Sequence, residues 1–80
     1  MAGAAHRQSV QSTLLASAAY FPDHTILELE FRNGAIYAFF DVPAECFLGL
    51  MEATSKGAFF NRNIRNHFRY QLITETDQPN

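Results

Sequence analysis

Leu27-Glu28-Leu29-Glu30-Phe31-Arg32-Asn33-Gly34-Ala35-Ile36-Tyr37-Ala38-Phe39-Phe40 is the stretch whose reading decides the fold. Residues 27–32 alternate apolar and charged without a break, which marks a half-buried strand with Leu27, Leu29 and Phe31 turned inward. Asn33-Gly34 follows at once, and a type I′ hairpin turn, which needs positive φ at both central residues, is best tolerated by such a pair. The next strand runs from Ala35 to Asp41. With a two-residue loop, Phe31 stands opposite Ile36, Glu30 opposite Tyr37 and Glu28 opposite Phe39, and opposed residues share a face. Leu27, Leu29, Phe31, Ile36, Ala38 and Phe40 then form the core side, while Tyr37 and Phe39 lie among Glu28, Glu30 and Arg32 on the other. A longer, bulged loop exchanges these faces, so the placement of the two rings depends on the turn. On the outer face they await either a covering segment, a dimer contact or a ligand.

Outward from the hairpin, Val10 to Ala19 reads as a preceding strand with apolar residues on both parities, closed by the turn-forming Pro22-Asp23. Downstream, Val42-Pro43 starts a helix, with Pro at the first helical position and Glu45 complementing the positive end of the dipole. Ala44, Phe47, Leu48 and Met51 form one apolar stripe, and Ser55-Lys56-Gly57 ends the helix. Phe60, Ile64 and Phe68 recur every four residues, predicting a second short helix over 58–68. Tyr70 to Thr74 suits a closing strand. The expected fold is α+β: a small antiparallel three- to four-stranded sheet followed by two short helices on one face, which bury Phe47, Met51, Phe60, Ile64 and Phe68. Residues 1–8 read as a flexible leader, 9–74 as a single domain and 75–80 as a flexible tail. Leu14-Leu15-Ala16-Ser17-Ala18 after Arg7 imitates a signal peptide, but Gln8, Ser9, Gln11, Ser12 and Thr13 interrupt the apolar region.

Composition bounds the rest. Eighty residues allow one domain, and 48% hydrophobic with 18% charged residues excludes a disordered chain. One Cys excludes an internal disulfide framework, and no Cys/His pair has structural zinc spacing, so eight Phe and three Tyr must supply the core. No apolar run reaches the eighteen or so residues of a membrane span, so the expectation is a cytoplasmic protein without membrane, metal or cofactor. The formal net charge of −2 conceals a segregation. Residues 1–52 carry two Arg against six acids, whereas residues 53–74 carry Lys56, Arg62, Arg65 and Arg69 with no acid. On a continuous helix the three Arg fall at i, i+3 and i+7, beside Asn61, Asn63 and Asn66, and such a stripe suits phosphate contact with amide bonding to bases. The bland alternative is a solvated helix face.

Catalytic constellations are weak. Cys46, with His24 or His67 as base, has no signature around it, although a thiol near a helix N-terminus is open to activation. Glu28 and Glu30 share a strand face, as solvated carboxylates commonly do; with Cys46 they are the residues a small hydrolase or nuclease would use. No Gly-rich phosphate loop is present.

Val10-Gln11-Ser12-Thr13, Leu29-Glu30-Phe31-Arg32-Asn33-Gly34, Tyr37-Ala38-Phe39, Val42-Pro43, Ser55-Lys56-Gly57 and Phe60-Asn61-Arg62-Asn63-Ile64-Arg65 follow in order and spacing. In this the chain resembles the KTSC domain, a small module at the C-terminus of some lysyl-tRNA synthetases and a stand-alone protein in bacteria and phages. The resemblance covers about residues 8–72. The family's central Tyr-x-Tyr stands here as Tyr37-Ala38-Phe39, without the second hydroxyl, and its Ile-Gly-Tyr-Asp as Ala18-Ala19-Tyr20-Phe21. Attachment to a synthetase implies RNA as a partner. The resulting expectation is a non-catalytic module that binds tRNA or single-stranded RNA through Tyr37, Phe39, Lys56, Asn61, Arg62, Arg65 and Arg69, with rings stacking bases and cations holding phosphates. The alternative is a protein-interaction or homodimerisation module using the aromatic sheet face.

Overall fold

The computed structural model describes residues 7–74. Most of the expected leader and all of the expected tail lie outside the described residues. The chain forms an antiparallel meander of β1 (Gln8–Ser9), β2 (Leu15–Phe21), β3 (Ile26–Phe31), β4 (Ile36–Phe39) and β5 (Tyr70–Thr74), adjacent in that order. Between β4 and β5 come α1 (Ala44–Glu52) and α2 (Lys56–Phe59), and α2 runs into a π-helical turn, Phe60–Ile64. The α+β architecture is as expected, with five strands among the described residues in place of three or four.

The expected strand 10–19 is divided. Ser12 Oγ accepts from the backbone N–H groups of Leu14 and Leu15 at 3.0 and 3.1 Å, so a hydroxyl competes with the ladder and turns the chain before β2. Within β2 the register slips between Leu15 and Ser17. That bulge puts Leu15, Ala18 and Tyr20 opposite the inward residues Phe31, Leu29 and Leu27, which is why apolar residues occupy both parities.

The central hairpin corrects the sequence reading. Leu27 pairs with Phe39 and Leu29 with Tyr37, so Tyr37 and Phe39 share the core face and Ala38 stands opposite Glu28 on the other. The loop has three residues: Phe31 N–H donates to Ala35 O at 2.9 Å, Gly34 N–H donates to Phe31 O at 2.9 Å, and Gly34 has φ 96°. Asn33 keeps negative φ, and its Oδ1 accepts from Ala35 N–H at 3.0 Å. A turn followed by a left-handed glycine is the alternative use of the Asn-Gly pair, and it shifts the register by one.

The helices cover the face that carries Leu27 and Leu29 and bury Leu15, Leu27, Leu29, Val42, Leu50 and Ile64 completely. In α1 the expected stripe is rotated: Leu50 is buried, Phe47 and Met51 are half-buried, and Ala44 and Leu48 face solvent, Leu48 at 55% exposure. Nearly every position of α1 is apolar, so spacing alone does not select the inner face; stacking of Phe47 on Tyr20 at 5.0 Å and 9° does. Pro43 caps the helix in an extended conformation, one residue before the expected position. Gly49 lets α2 approach, because an added Cβ there would come within 2.9 Å of Phe59 Cζ.

The second helix stops at Ile64 rather than Phe68. Arg65 N–H donates to Phe60 O at 2.8 Å, the five-residue step of a π turn, and Arg65 then leaves the helix at φ −60°, ψ 127°. Asn66 follows at φ 67°, and His67 N–H donates to Ile64 O at 3.0 Å. This is the signature of a type II turn, whose third position favours Gly or Asn. Phe60 and Ile64 are buried as expected and Phe68 is half-buried, but Arg62, Arg65 and Arg69 do not share one helix face.

Candidate functional site

The corrected register brings β4 and β5 under the π turn. Tyr37 and Phe39 from β4, Tyr70 from β5, Phe31 from β3, Leu14 from the loop before β2, and Phe60, Asn61, Arg65 and Asn66 from the turn line a groove of about 380 Å³. Four of the seven residues singled out in the sequence, Tyr37, Phe39, Asn61 and Arg65, therefore meet at one place.

Edge-to-face contacts set the aromatic side. Phe60 meets Phe31 at 5.3 Å and Phe39 at 5.7 Å, and Tyr37 meets Phe31 and Tyr70 at 5.7 Å each. Phe39 is only 4% exposed and forms the floor, whereas Tyr70 is 58% exposed and offers open ring surface. On the polar side, Arg65 Nη1 donates to Asn61 Oδ1 at 3.3 Å. Ion pairs among the described residues join Arg7 to Glu28 and Arg69 to Asp41, and Arg65 meets no carboxylate among those residues. The groove combines exposed π surface, amide groups and a guanidinium that meets no carboxylate of the described residues, a set suited to a planar ring bearing an anion.

Lys56, Arg62 and Arg69 lie outside the groove lining. The Lys56 ammonium donates to Ala53 O at 2.9 Å, just beyond α1. Its neighbour Ser55 caps α2 by accepting from Ala58 N–H at 3.2 Å, so much of the Ser-Lys-Gly segment joins the helices. Arg69 donates to Asp41 Oδ2 at 3.3 Å and lies over the Phe40 ring at 5.1 Å. Arg62 is exposed.

The two carboxylates weighed for catalysis are engaged elsewhere. On the opposite sheet face Arg7 donates to Glu28 and Ser17, and Ser17 Oγ donates to Glu30 Oε1 at 2.7 Å. Burial pushes the half-buried Cys46 thiol above its ordinary value, opposite to the activation that a helix N-terminus favours. No helix among the described residues is long and apolar enough to cross a membrane.

Sequence reasoning missed Phe31, Tyr70 and Leu14 as parts of the site, expected Phe60 only in the core, and set Asn66 beside the arginines on a helix face rather than in a turn. The signal that was available is the asparagine set Asn61, Asn63 and Asn66, the residues of this Gly- and Pro-free segment most tolerant of positive φ; Asn66 takes it, at the turn that ends the helix.

The KTSC domain family model matches residues 11–68. The chain is 43% identical over 68 residues to an uncharacterised protein of Stutzerimonas stutzeri, covering 84% of this chain and 96% of that one. It is 33% identical over 64 residues to a lysine–tRNA ligase of Nostoc sp., covering 80% of this chain and 11% of the ligase. Among solved structures, a KTSC domain protein from Yersinia pestis is similar with a TM-score of 0.86 at 37% identity, covering 89% of this chain and 100% of that one.

Proposed function

Because the chain belongs to the KTSC domain family, we propose that it is a non-catalytic module that binds single-stranded RNA at the groove between the β4–β5 sheet surface and the π turn. The observation that carries this reading is the convergence of Tyr37 and Phe39 with Asn61 and Arg65, at least 22 positions later in the chain, around one opening. Aromatic surface to stack a base and an arginine to hold phosphate are the two elements that single-strand recognition uses. The acid-free segment 53–74 supports it by leaving Arg62 and Arg65 without nearby acidic residues in sequence. Occurrence of a similar stretch in a ligase whose name includes tRNA agrees with it.

The test is fluorescence polarisation with a labelled single-stranded RNA between about 50 and 200 mM salt. Affinity should fall steeply with salt, and Arg62→Ala with Arg65→Ala should flatten the slope by roughly one unit per lost phosphate contact. Absence of RNA binding at the lower salt overturns the reading. A second reading, association with another copy or another protein through the aromatic side of the sheet, is favoured by Tyr70 and Leu72, which face the same way at 58% and 41% exposure. Sedimentation that shows a salt-insensitive dimer, lost on Tyr70→Ala, would select that reading instead.

A further inference from the structure

We infer that the groove is a single-nucleotide site: one unstacked base rests against the Tyr70 side of the ring cluster while Arg65 holds its phosphate. The inference rests on the RNA-binding reading and narrows it from a strand to one nucleotide unit.

Size is the first argument. At about 380 Å³ the groove lies at the small end of the roughly 300–1,000 Å³ typical of small-molecule sites, the scale of one nucleotide. Ring geometry is the second. Tyr37 and Tyr70 are 5.7 Å apart at 63°. A base inserted between them would need two van der Waals separations, about 7–8 Å in all. The base must therefore lie on one side of the cluster. Phe31, Phe39 and Phe60 are occupied with one another, with Tyr37 or, for Phe39, with the inner side of Tyr70 at 5.8 Å, so the 58%-exposed Tyr70 supplies the open surface on its outer side.

The polar wall is the third argument. Arg65 spends one N–H on Asn61 Oδ1, which leaves the rest of the guanidinium and the Asn61 amide N–H groups as donors. Such a wall recognises acceptors: phosphate oxygens and the carbonyl or ring-nitrogen edge of a base. Asn66 adds both a donor and an acceptor beside them, at a position fixed by the turn that ends the helix. Neither ion pair among the described residues uses Arg65, so the ligand's anion displaces no carboxylate of those residues.

Adenosine 5′-monophosphate, adenosine and ribose 5-phosphate, titrated into the full chain and followed by amide resonances, separate the contributions. The monophosphate should shift Asn61, Arg65, Asn66 and Tyr70, with adenosine and ribose 5-phosphate each about tenfold weaker or more. It should also displace labelled single-stranded RNA completely. Tyr70→Ala should weaken the monophosphate by about tenfold or more while Tyr70→Phe, which keeps the ring, binds as the parent does. Arg65→Gln should remove the difference between monophosphate and adenosine. If RNA binds but the monophosphate neither competes nor shifts these resonances, the single-nucleotide inference falls and the RNA reading stands. If the monophosphate binds and RNA does not, the inference stands as a free-nucleotide site and the RNA reading falls. Binding of neither overturns both.

Discussion

Tyr20 shows how one polar group is satisfied inside a small core. Its hydroxyl donates to Val42 O at 2.6 Å from a buried position, and its ring stacks on Phe47. Tyr20→Phe keeps the stack but strands the carbonyl, so a loss of about 1–3 kcal/mol in urea unfolding is expected. The same burial, with a smaller contribution from Cys46, raises the phenol above its ordinary value of 10.0, and burial raises Cys46 above 9.0. In both cases the unfolded chain releases the proton first as pH rises. The stability these groups contribute is therefore complete below about pH 9 and is lost as pH climbs through the folded values. Urea titrations at pH 8 and pH 11 should show a fall in the parent that Tyr20→Phe combined with Cys46→Ser makes shallower. Cys46→Ser alone should leave RNA binding unchanged, and a folded variant that loses it would return the thiol to consideration.

At the scale of elements, Gly34 is the residue on which the site's placement turns. With φ at 96° it closes a three-residue loop, and an alanine there should cost about 1–2 kcal/mol, read as a lowered urea midpoint with unchanged slope. An unchanged midpoint would mean the loop relaxes to another form, and with it the register of β4. The strict alternation of residues 27–32 made the inner face of β3 legible from sequence, because only one strand parity buries Leu27 and Leu29. It did not place Tyr37 and Phe39, since Asn-Gly serves both two- and three-residue loops and the two differ by a full exchange of faces. The second helix was legible through Phe60 and Ile64, yet its end was not, because the apolar repeat continues to Phe68 past the turn at Asn66. In the site, Tyr37, Asn61 and Arg65 were readable through a family motif. Tyr70 was not, because only the pairing of β5 on β4 brings it there.

For the whole molecule, Phe60 is where the sheet, the π turn and the groove depend on one side chain. It is 7% exposed and meets rings from β3 and β4, so the turn that carries Asn61 and Arg65 is held to the sheet through it. A chain of 80 residues with helices on one face of a single sheet has little reserve, on the order of 5–15 kcal/mol in total. Phe60→Ala should cost about 3–5 kcal/mol, through lost transfer energy and the cavity left between Phe31 and Phe39. Exposed Arg62 and Arg65 predict the converse: their removal should alter binding with stability changed by no more than about 0.5 kcal/mol. Phe60→Leu, which refills most of the volume, separates the two roles, since it should recover most of the stability while the groove loses one aromatic wall. If Phe60→Ala instead loses less than about 1 kcal/mol, the ring is not holding the turn to the sheet, and the groove's polar wall must be positioned by the backbone alone.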